Sequence, residues 1–400
     1  MKIGLVCPYN MLETSGGVGE LVINLRDGLA KKGHSVKIIT PRPIGYKGEV
    51  PENYILLGTS TSFTGGLATS GSVTFHVSQD DVKQVLEQEQ FDVLNFHEPW
   101  SPILARQILQ VSDAAHVGTF HANLIDSVAA KTLVNILKAY GRNIGEKLDY
   151  ITAVSPAPAK VLIDKDPERK YIKHLCYIPN GINVKRYRTK PKSVAKTKPA
   201  KTRTIFYVGR LEGRKGLKYL LQAYKDLTAR VSDVQLVIAG SGPDESKLRE
   251  YVEQYEIPRV SFLGYVSDEE KIEWLHKADV FCSAATRGES FGIVLLEAMA
   301  AGCPVVAGDN VGYESVMKET GAISLVNPRD TKDFSRKLEI MLYDENIRKL
   351  WKAWAKKYVE QFDYVHIVEQ YEKVYKDAVK YSSKKPVVKK QRFGLLRQTT

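Results

Sequence analysis

The 400-residue sequence predicts an α/β protein built from two doubly wound, Rossmann-like domains. Three observations predict this. Short apolar runs alternate with segments of helical periodicity through the first half, and the alternation restarts after a basic, proline-containing stretch. The length also exceeds what a single typical core organises and suits two domains of ordinary size. Unbroken apolar runs suit parallel strands covered on both faces. In such sheets the ligand-binding loops lie at the strand C-termini.

The elements follow in order. The first strand is read over Lys2 to Cys7, the first helix over Gly19 to Gly33, and the second strand over Ser35 to Thr40. Gly33 stands where a helix C-cap glycine belongs. Thr59 to Gly71, rich in Gly, Ser and Thr, reads as a loop. Val93 to Phe96, His116 to Phe120 and Tyr150 to Val154 read as further buried strands, which makes residues 1–183 the first domain. Residues 184–203 contain Pro191 and Pro199 with little apolar content, and read as a basic linker. The second domain, 204–363, repeats the theme. Its strands are Thr204 to Val208, Gln235 to Ala239, Val260 to Leu263, Val280 to Cys282, Val305 to Gly308 and Ile323 to Val326, with a helix over Leu217 to Arg230. Glu345 to Lys380 reads as helical with a break at Gln361 to Tyr364.

Composition excludes several classes. With 43% hydrophobic and 26% charged residues the chain is neither disordered nor fibrous. The start, Met1 to Val6, lacks the pattern of a secretory signal. The best apolar run, Phe291 to Val306, is broken by Glu297, Gly302 and Pro304, short of the ~18 residues of a membrane span. Cys7, Cys176, Cys282 and Cys303 are far apart, which suits a reduced, cytoplasmic setting. The net charge of +12 is localised: nine cations fall between Lys185 and Arg203 and six between Lys384 and Arg397, with no acid in either segment. The remaining body is therefore slightly acidic, which opposes a nucleic-acid interface on the folded domains. The 382–400 tail mixes its cations with Phe393, Leu395 and Leu396, a pattern suited to anionic lipid headgroups or simply to solvation.

Four segments carry chemistry. Gly288 to Gly302 is a polar, glycine-containing turn feeding a short helix that stops before Pro304. The free N–H groups of Phe291, Gly292, Ile293 and Val294 form an anion site at the positive end of the helix dipole. Glu289 and Glu297 flank it; carboxylates would repel a diphosphate, so they suit hydroxyl groups of a sugar and a ribose. Val208 to Gly216 places Arg210 and Lys215 on a strand-to-helix loop, where they could neutralise a diphosphate. Ser15 to Gly19 sets Gly16 and Gly17 after the first strand, but it is no G-x-G-x-x-G, and Thr40-Pro41-Arg42 stands where a dinucleotide fold needs an acid. Finally, His97-Glu98-Pro99 and Thr119-Phe120-His121 end two strands, so His121 faces the crevice. Asp164-Lys165-Asp166 matches a metal-binding D-x-D pattern, yet it sits away from any strand end and reads as surface.

Together these segments resemble the family-4 retaining glycosyltransferases of the GT-B fold over Met1 to about Lys380, most of all the phosphatidylinositol mannosyltransferase subgroup. The shared runs are Ile3 to Tyr9, Phe91 to Leu94, His97-Glu98-Pro99, Thr119-Phe120-His121, Ile178 to Gly181 and Gly288 to Gly302. The resemblance implies two domains facing across a cleft, with a C-terminal helix, 364–381, crossing back to the first. It implies that Gly16 and Gly17 approach the donor phosphate, that Arg210 and Lys215 bind the diphosphate, and that Glu289, Phe291, Gly292 and Ile293 hold sugar and phosphate. Glu297 would bond the ribose, His121 the sugar near its anomeric centre, and Gly240, Gly242, Tyr265 and Val266 would line the base. Tyr9 and Ser72 would lie on the acceptor side. No cofactor or metal is implied beyond the sugar nucleotide as co-substrate. Retention would proceed by same-face attack, the leaving phosphate helping to deprotonate the acceptor.

The departures fall on the acceptor side. Ser70 to His76 has none of the arginines found in the subgroup's inositol-phosphate loop, and Asp81 to Phe91 holds one lysine among several acids. Ala129 to Lys147 offers a basic amphipathic pattern instead. The expectation is a hexosyltransferase, with GDP-mannose as a candidate donor, acting on a lipid at the inner membrane face. A different lipid, a soluble acceptor, or a non-catalytic nucleotide- or membrane-binding scaffold stand as alternatives.

Overall fold

A computed structural model describes residues 1–12, 16–63, 71–75, 77–99, 102–122, 144–163, 174–195 and 202–383. Most of the basic amphipathic 129–147 segment, the Asp164-Lys165-Asp166 run, Ser15 and the tail beyond residue 383 lie outside the described residues.

The first domain is one sheet of strands β1 (Lys2–Val6), β2 (Ser35–Pro43), β3 (Tyr54–Phe63), β4 (Gly71–Phe75), β5 (Val93–His97), β6 (Ala115–Phe120), β7 (Tyr150–Ala153) and β8 (Leu175–Tyr177). Their order is β4-β3-β2-β1-β5-β6-β7-β8, parallel except for the β3–β4 hairpin. The chain leaves β1 toward β2 on one side and later returns to β5 on the other. The β1/β5 boundary is therefore a topological switch point, where ligands enter a doubly wound sheet. The second sheet comprises β9 (Arg203–Val208), β10 (Val234–Ala239), β11 (Val260–Gly264), β12 (Val280–Ser283), β13 (Val305–Gly308) and β14 (Leu325–Val326). Its order, β11-β10-β9-β12-β13-β14, has the same switch between β9 and β12.

The apolar runs become strands because both sheet faces are covered. Val93, Leu94 and Phe96 of β5, and Phe206 and Tyr207 of β9, are all buried. The C-terminal helix Tyr364–Ser382 packs Ile367, Val368, Tyr371, Tyr375 and Ala378 into the first domain's core, beside Leu21, Leu25 and Leu29 of the helix Gly17–Lys31. Glu372 pairs with Lys32 (3.1 Å) and accepts a hydrogen bond from His34 Nε2 (3.2 Å) at the end of that first helix.

Three expectations change. Thr59 to Gly71 is not a loop throughout: Thr59 to Phe63 continues β3 and pairs with Gly71–Phe75. Its Ser/Thr-rich composition suggested a loop, but the open edge of β2 supplies backbone partners, Arg42 opposite Thr59. Ser72 accordingly sits within a strand. The basic stretch is also not a free tether over its described part. Val184–Arg188 is a helix whose Val184 and Tyr187, three residues apart, turn into the second domain's core while Arg186 and Arg188 face outward. Lastly, Ile323 and Ser324 belong to a 3-10 turn, Glu319–Ser324, which leaves only two residues of strand.

Candidate active site

The second domain's half of the site is built at the end of β12. Gly292 caps the helix Ile293–Ala300 at φ 118°, a conformation closed to residues with a Cβ, which would also meet Tyr313 at 2.7 Å. Gly292 has no side chain with which to cap this helix start. Beside it lies a charge cluster. Glu289 Oε1 accepts from Lys215 Nζ at 2.7 Å and from Arg214 Nη1 at 2.8 Å, and Arg214 also reaches Glu212 at 2.7 Å. The 3-10 turn Gly213–Lys215 can press against the strand end because Gly216, at φ 68°, has no Cβ to strike the Ala284 carbonyl. Arg214 and Lys215 are balanced by Glu212 and Glu289, and Arg210, 4.0 Å from Glu212, leaves the cluster with one net positive charge beside the positive end of a helix dipole. Sequence reasoning named Lys215 and Glu289 and missed Arg214. It also named Arg210, which is half-exposed and, among the described residues, reaches only Glu212, at 4.0 Å.

Glu297 forms a second, deeper centre. It is 4% exposed, and its Oε1 accepts from Tyr187 Oη at 2.8 Å and Lys271 Nζ at 3.0 Å. Burial opposes the Lys271 charge, but Glu297 and Asp268 outweigh it and raise its pKa. Burial, reinforced by Glu297, pushes the Tyr187 phenol upward. Glu297 Oε2 is buried without a hydrogen-bond partner among the described residues. An orphaned carboxylate oxygen of this kind is costly and suits a hydroxyl donor brought by a ligand.

On the first domain, β5 and β6 end side by side, with His97 opposite Thr119. This register stacks the His97 and His121 rings 5.2 Å apart at 13°, with His97 Nδ1 3.0 Å from His121 Nε2. Burial lowers the pKa of both, His121 to about 3 and His97 well below its ordinary value with help from its neighbour, so both are neutral near pH 7. Glu98 Oε1 accepts from the backbone N–H of His121 (2.8 Å) and of Ala122 (2.6 Å), which fixes the loop after β6. Tyr9 lies after β1; burial, and next the Glu98 charge, push its phenol up.

The halves meet. A Cβ at Gly17 would lie 3.1 Å from Ile293 Cδ1, so the first domain's glycine turn abuts the helix start of the second. Ser155 Oγ donates to the Ser290 carbonyl at 2.5 Å. The Glu20 carboxyl is raised by burial and then by Glu297 across the gap. At the far edge Tyr265 is 84% exposed and Val266 packs on the core. Gly240 and Gly242 have a reason to be glycine within the fold itself, because a Cβ on either would strike the backbone of Gly209 or Leu211. Among the described residues no group of three His, Cys, Asp or Glu side chains could hold a metal ion.

The family model "Glycosyltransferase Family 4" matches residues 15–186, and "Glycosyl transferases group 1" matches 189–358. The phosphatidyl-myo-inositol mannosyltransferase of Mycolicibacterium smegmatis is 32% identical over 94% of this chain and 93% of its own. This chain is a family-4 glycosyltransferase of the GT-B fold. The glycosyltransferase is also 31% identical to the phosphatidyl-myo-inositol mannosyltransferase of Propionibacterium freudenreichii over 80% of both chains. Among solved structures it superposes on a sucrose-phosphate synthase from Thermosynechococcus elongatus (TM-score 0.72, 22% identity, 94% of this chain and 98% of that one). It also superposes on Anabaena HepE in complex with UDP and glucose (TM-score 0.72, 18% identity, 94% and 100%). The boundary between the two family models, near residues 186 to 189, falls within the helix and turn that carry Tyr187.

Proposed function

We propose that this glycosyltransferase moves a hexose, mannose from GDP-mannose in the first instance, to a lipid acceptor of the phosphatidylinositol type at the cytoplasmic face of the membrane. The observation that carries the donor half is the junction at Gly17 and Ile293. There a bare glycine turn meets a helix start flanked by Arg214, Lys215 and Glu289, a cradle for a diphosphate with hydroxyl-binding carboxylates on either side. In this reading Lys215, Arg214 and, from its exposed position, Arg210 offset the charge of the leaving diphosphate. Glu297 takes a ribose hydroxyl on its free oxygen, Glu289 and His121 hold the sugar, and Tyr265 and Val266 flank the base. Charge neutralisation by fixed cations removes the need for a divalent ion, and transfer proceeds with retention. The acceptor half is supported by likeness to the phosphatidyl-myo-inositol mannosyltransferases along nearly the whole chain. No helix among the described residues is long and apolar enough to cross a membrane, so contact would be peripheral, through the basic tail and the 129–147 segment.

The test is nucleotide release from a panel of GDP- and UDP-sugars, with and without liposomes containing phosphatidylinositol and without added metal. Release from GDP-mannose that rises with those liposomes is expected. Turnover that ignores phosphatidylinositol would point to a different lipid or a soluble acceptor, the reading favoured by the absence of arginine from Ser70 to His76. Nucleotide binding without turnover of any donor would leave a scaffold.

A further inference from the structure

The buried histidine pair sits in a chain of hydrogen bonds. Asn95 places its Oδ1 2.8 Å from Thr119 Oγ1 and its amide nitrogen toward Tyr375 Oη (2.6 Å) and His97 Nε2 (3.3 Å). An amide nitrogen only donates, so His97 Nε2 is the bare nitrogen of that ring. The proton of a neutral His97 is then on Nδ1, 3.0 Å from His121 Nε2. His121 Nε2 accepts it, and the proton of a neutral His121 is left on Nδ1. That nitrogen has no hydrogen-bond partner among the described residues, and His121 directly follows the C-terminal end of β6. Burial keeps both rings neutral: His97 is 1% and His121 7% exposed.

We propose that Asn95 and His97 are positioning residues that lock His121 in its Nδ1–H tautomer, so that it offers the sugar a hydrogen-bond donor and not a base. The proposal rests on the reading of His121 as a sugar contact. It gives a chemical reason for a histidine where the ring stays neutral. A neutral imidazole with a dictated tautomer donates to a hydroxyl oxygen along one direction, and it leaves deprotonation of the acceptor to the departing phosphate. It also ties the site to the returning helix, since Tyr375 receives the second hydrogen of the same amide that sets the tautomer.

The experiment reads ring nitrogens directly. In histidine-15N-labelled protein without donor at neutral pH, long-range 1H–15N spectra are expected to show His121 with protonated Nδ1 and bare Nε2. A protonated Nε2 on His121 overturns the proposal. Asn95→Asp replaces the donor with a group that only accepts, so His97 Nε2 has to carry the proton and both rings are expected to invert. Inversion should lower kcat by roughly tenfold to a hundredfold with little change in the donor KM, the pattern of a lost oriented hydrogen bond. Retention of the Nδ1–H form on His121 in this variant overturns the role of Asn95. If a buried aspartate prevents folding, His97→Phe serves instead: it removes the dictating donor, and a mixture of His121 tautomers is expected. A single Nδ1–H form there overturns the role of His97. Because the spectra need no turnover, an inverted His121 that retains wild-type kcat would overturn the sugar-facing role separately from the tautomer.

Discussion

Glu98 holds the first-domain crevice from a backbone conformation, φ 50°, that non-glycine residues rarely adopt. It is buried, and its carboxylate accepts from two consecutive N–H groups of the loop that carries His121. Glu98→Ala keeps the unfavourable φ and leaves both N–H groups without that acceptor, at about 1–3 kcal/mol for each buried orphan. We expect a loss of roughly 2–4 kcal/mol in urea unfolding, and a change below about 1 kcal/mol would show that water replaces the carboxylate freely. His97 and His121 act on stability through pH. Their pKa values are lower folded than unfolded, so the unfolded chain binds the extra protons. Their stabilising effect is complete above the ordinary histidine value of 6.5 and is lost as pH falls from there toward the folded value, about 3 for His121. Between those limits each histidine should steepen the loss by up to about 1.4 kcal/mol per pH unit. A His121→Asn variant whose unfolding free energy keeps the full wild-type slope would contradict this. His121 was legible in the sequence because a strand end faces the crevice. Its pairing with His97 was not, because it depends on the β5–β6 register that sets His97 opposite Thr119. Arg214 escaped for a similar reason. Three cations crowd Arg210 to Lys215, and only the orientation of the 3-10 turn decides which two face Glu289.

At the scale of elements, the buried strands were legible as apolar runs and the β3–β4 hairpin was not. Serine and threonine serve equally well in a loop or at a sheet edge, and what decides is the presence of an unpaired neighbour, here β2. The break at Gln361 to Tyr364 was legible too, and its use becomes plain in the structure: Val359–Phe362 forms a 3-10 turn, and Asp363 then caps the helix that returns to the first domain. That helix lies far in sequence from the core it completes. Ile367 is fully buried between the returning helix and the first domain's sheet. Ile367→Ala should cost about 2–5 kcal/mol, and the loss should fall on the first domain although the substitution follows the second in sequence. Domain-resolved hydrogen exchange distinguishes the outcomes. Faster exchange across β1, β2 and β5 with β9 and β10 unchanged is expected, and faster exchange confined to the second domain would contradict the docking.

At the scale of the molecule, the chain crosses between domains twice, and the two crossings are bonded to each other. Ile182 N donates to Phe362 O at 2.9 Å, Tyr364 N to Ile182 O at 3.2 Å, and Asp363 accepts from Val184 N and Val365 N. Both crossings link the same two domains whose glycine turn and helix start meet at Gly17 and Ile293. The two neighbouring glycines then separate steric closure from ligand approach. Gly16 has an ordinary extended backbone, φ −94°, and nothing within 4 Å of a Cβ, whereas a Cβ at Gly17 already sits 3.1 Å from Ile293 Cδ1. Gly17→Val adds two methyl groups at that contact and should hold the domains apart, seen as a larger radius of gyration in solution scattering and weaker donor binding. Gly16→Val should leave the scattering curve and the unfolding midpoint unchanged, yet weaken sugar-nucleotide binding by roughly tenfold or more, because its side chain fills space that a ligand would otherwise enter. Wild-type donor affinity in Gly16→Val would mean that the glycine turn does not face the diphosphate. The cradle would then have to be assigned to the second domain alone, with Arg214, Lys215 and the Ile293 helix start carrying the whole of the anion.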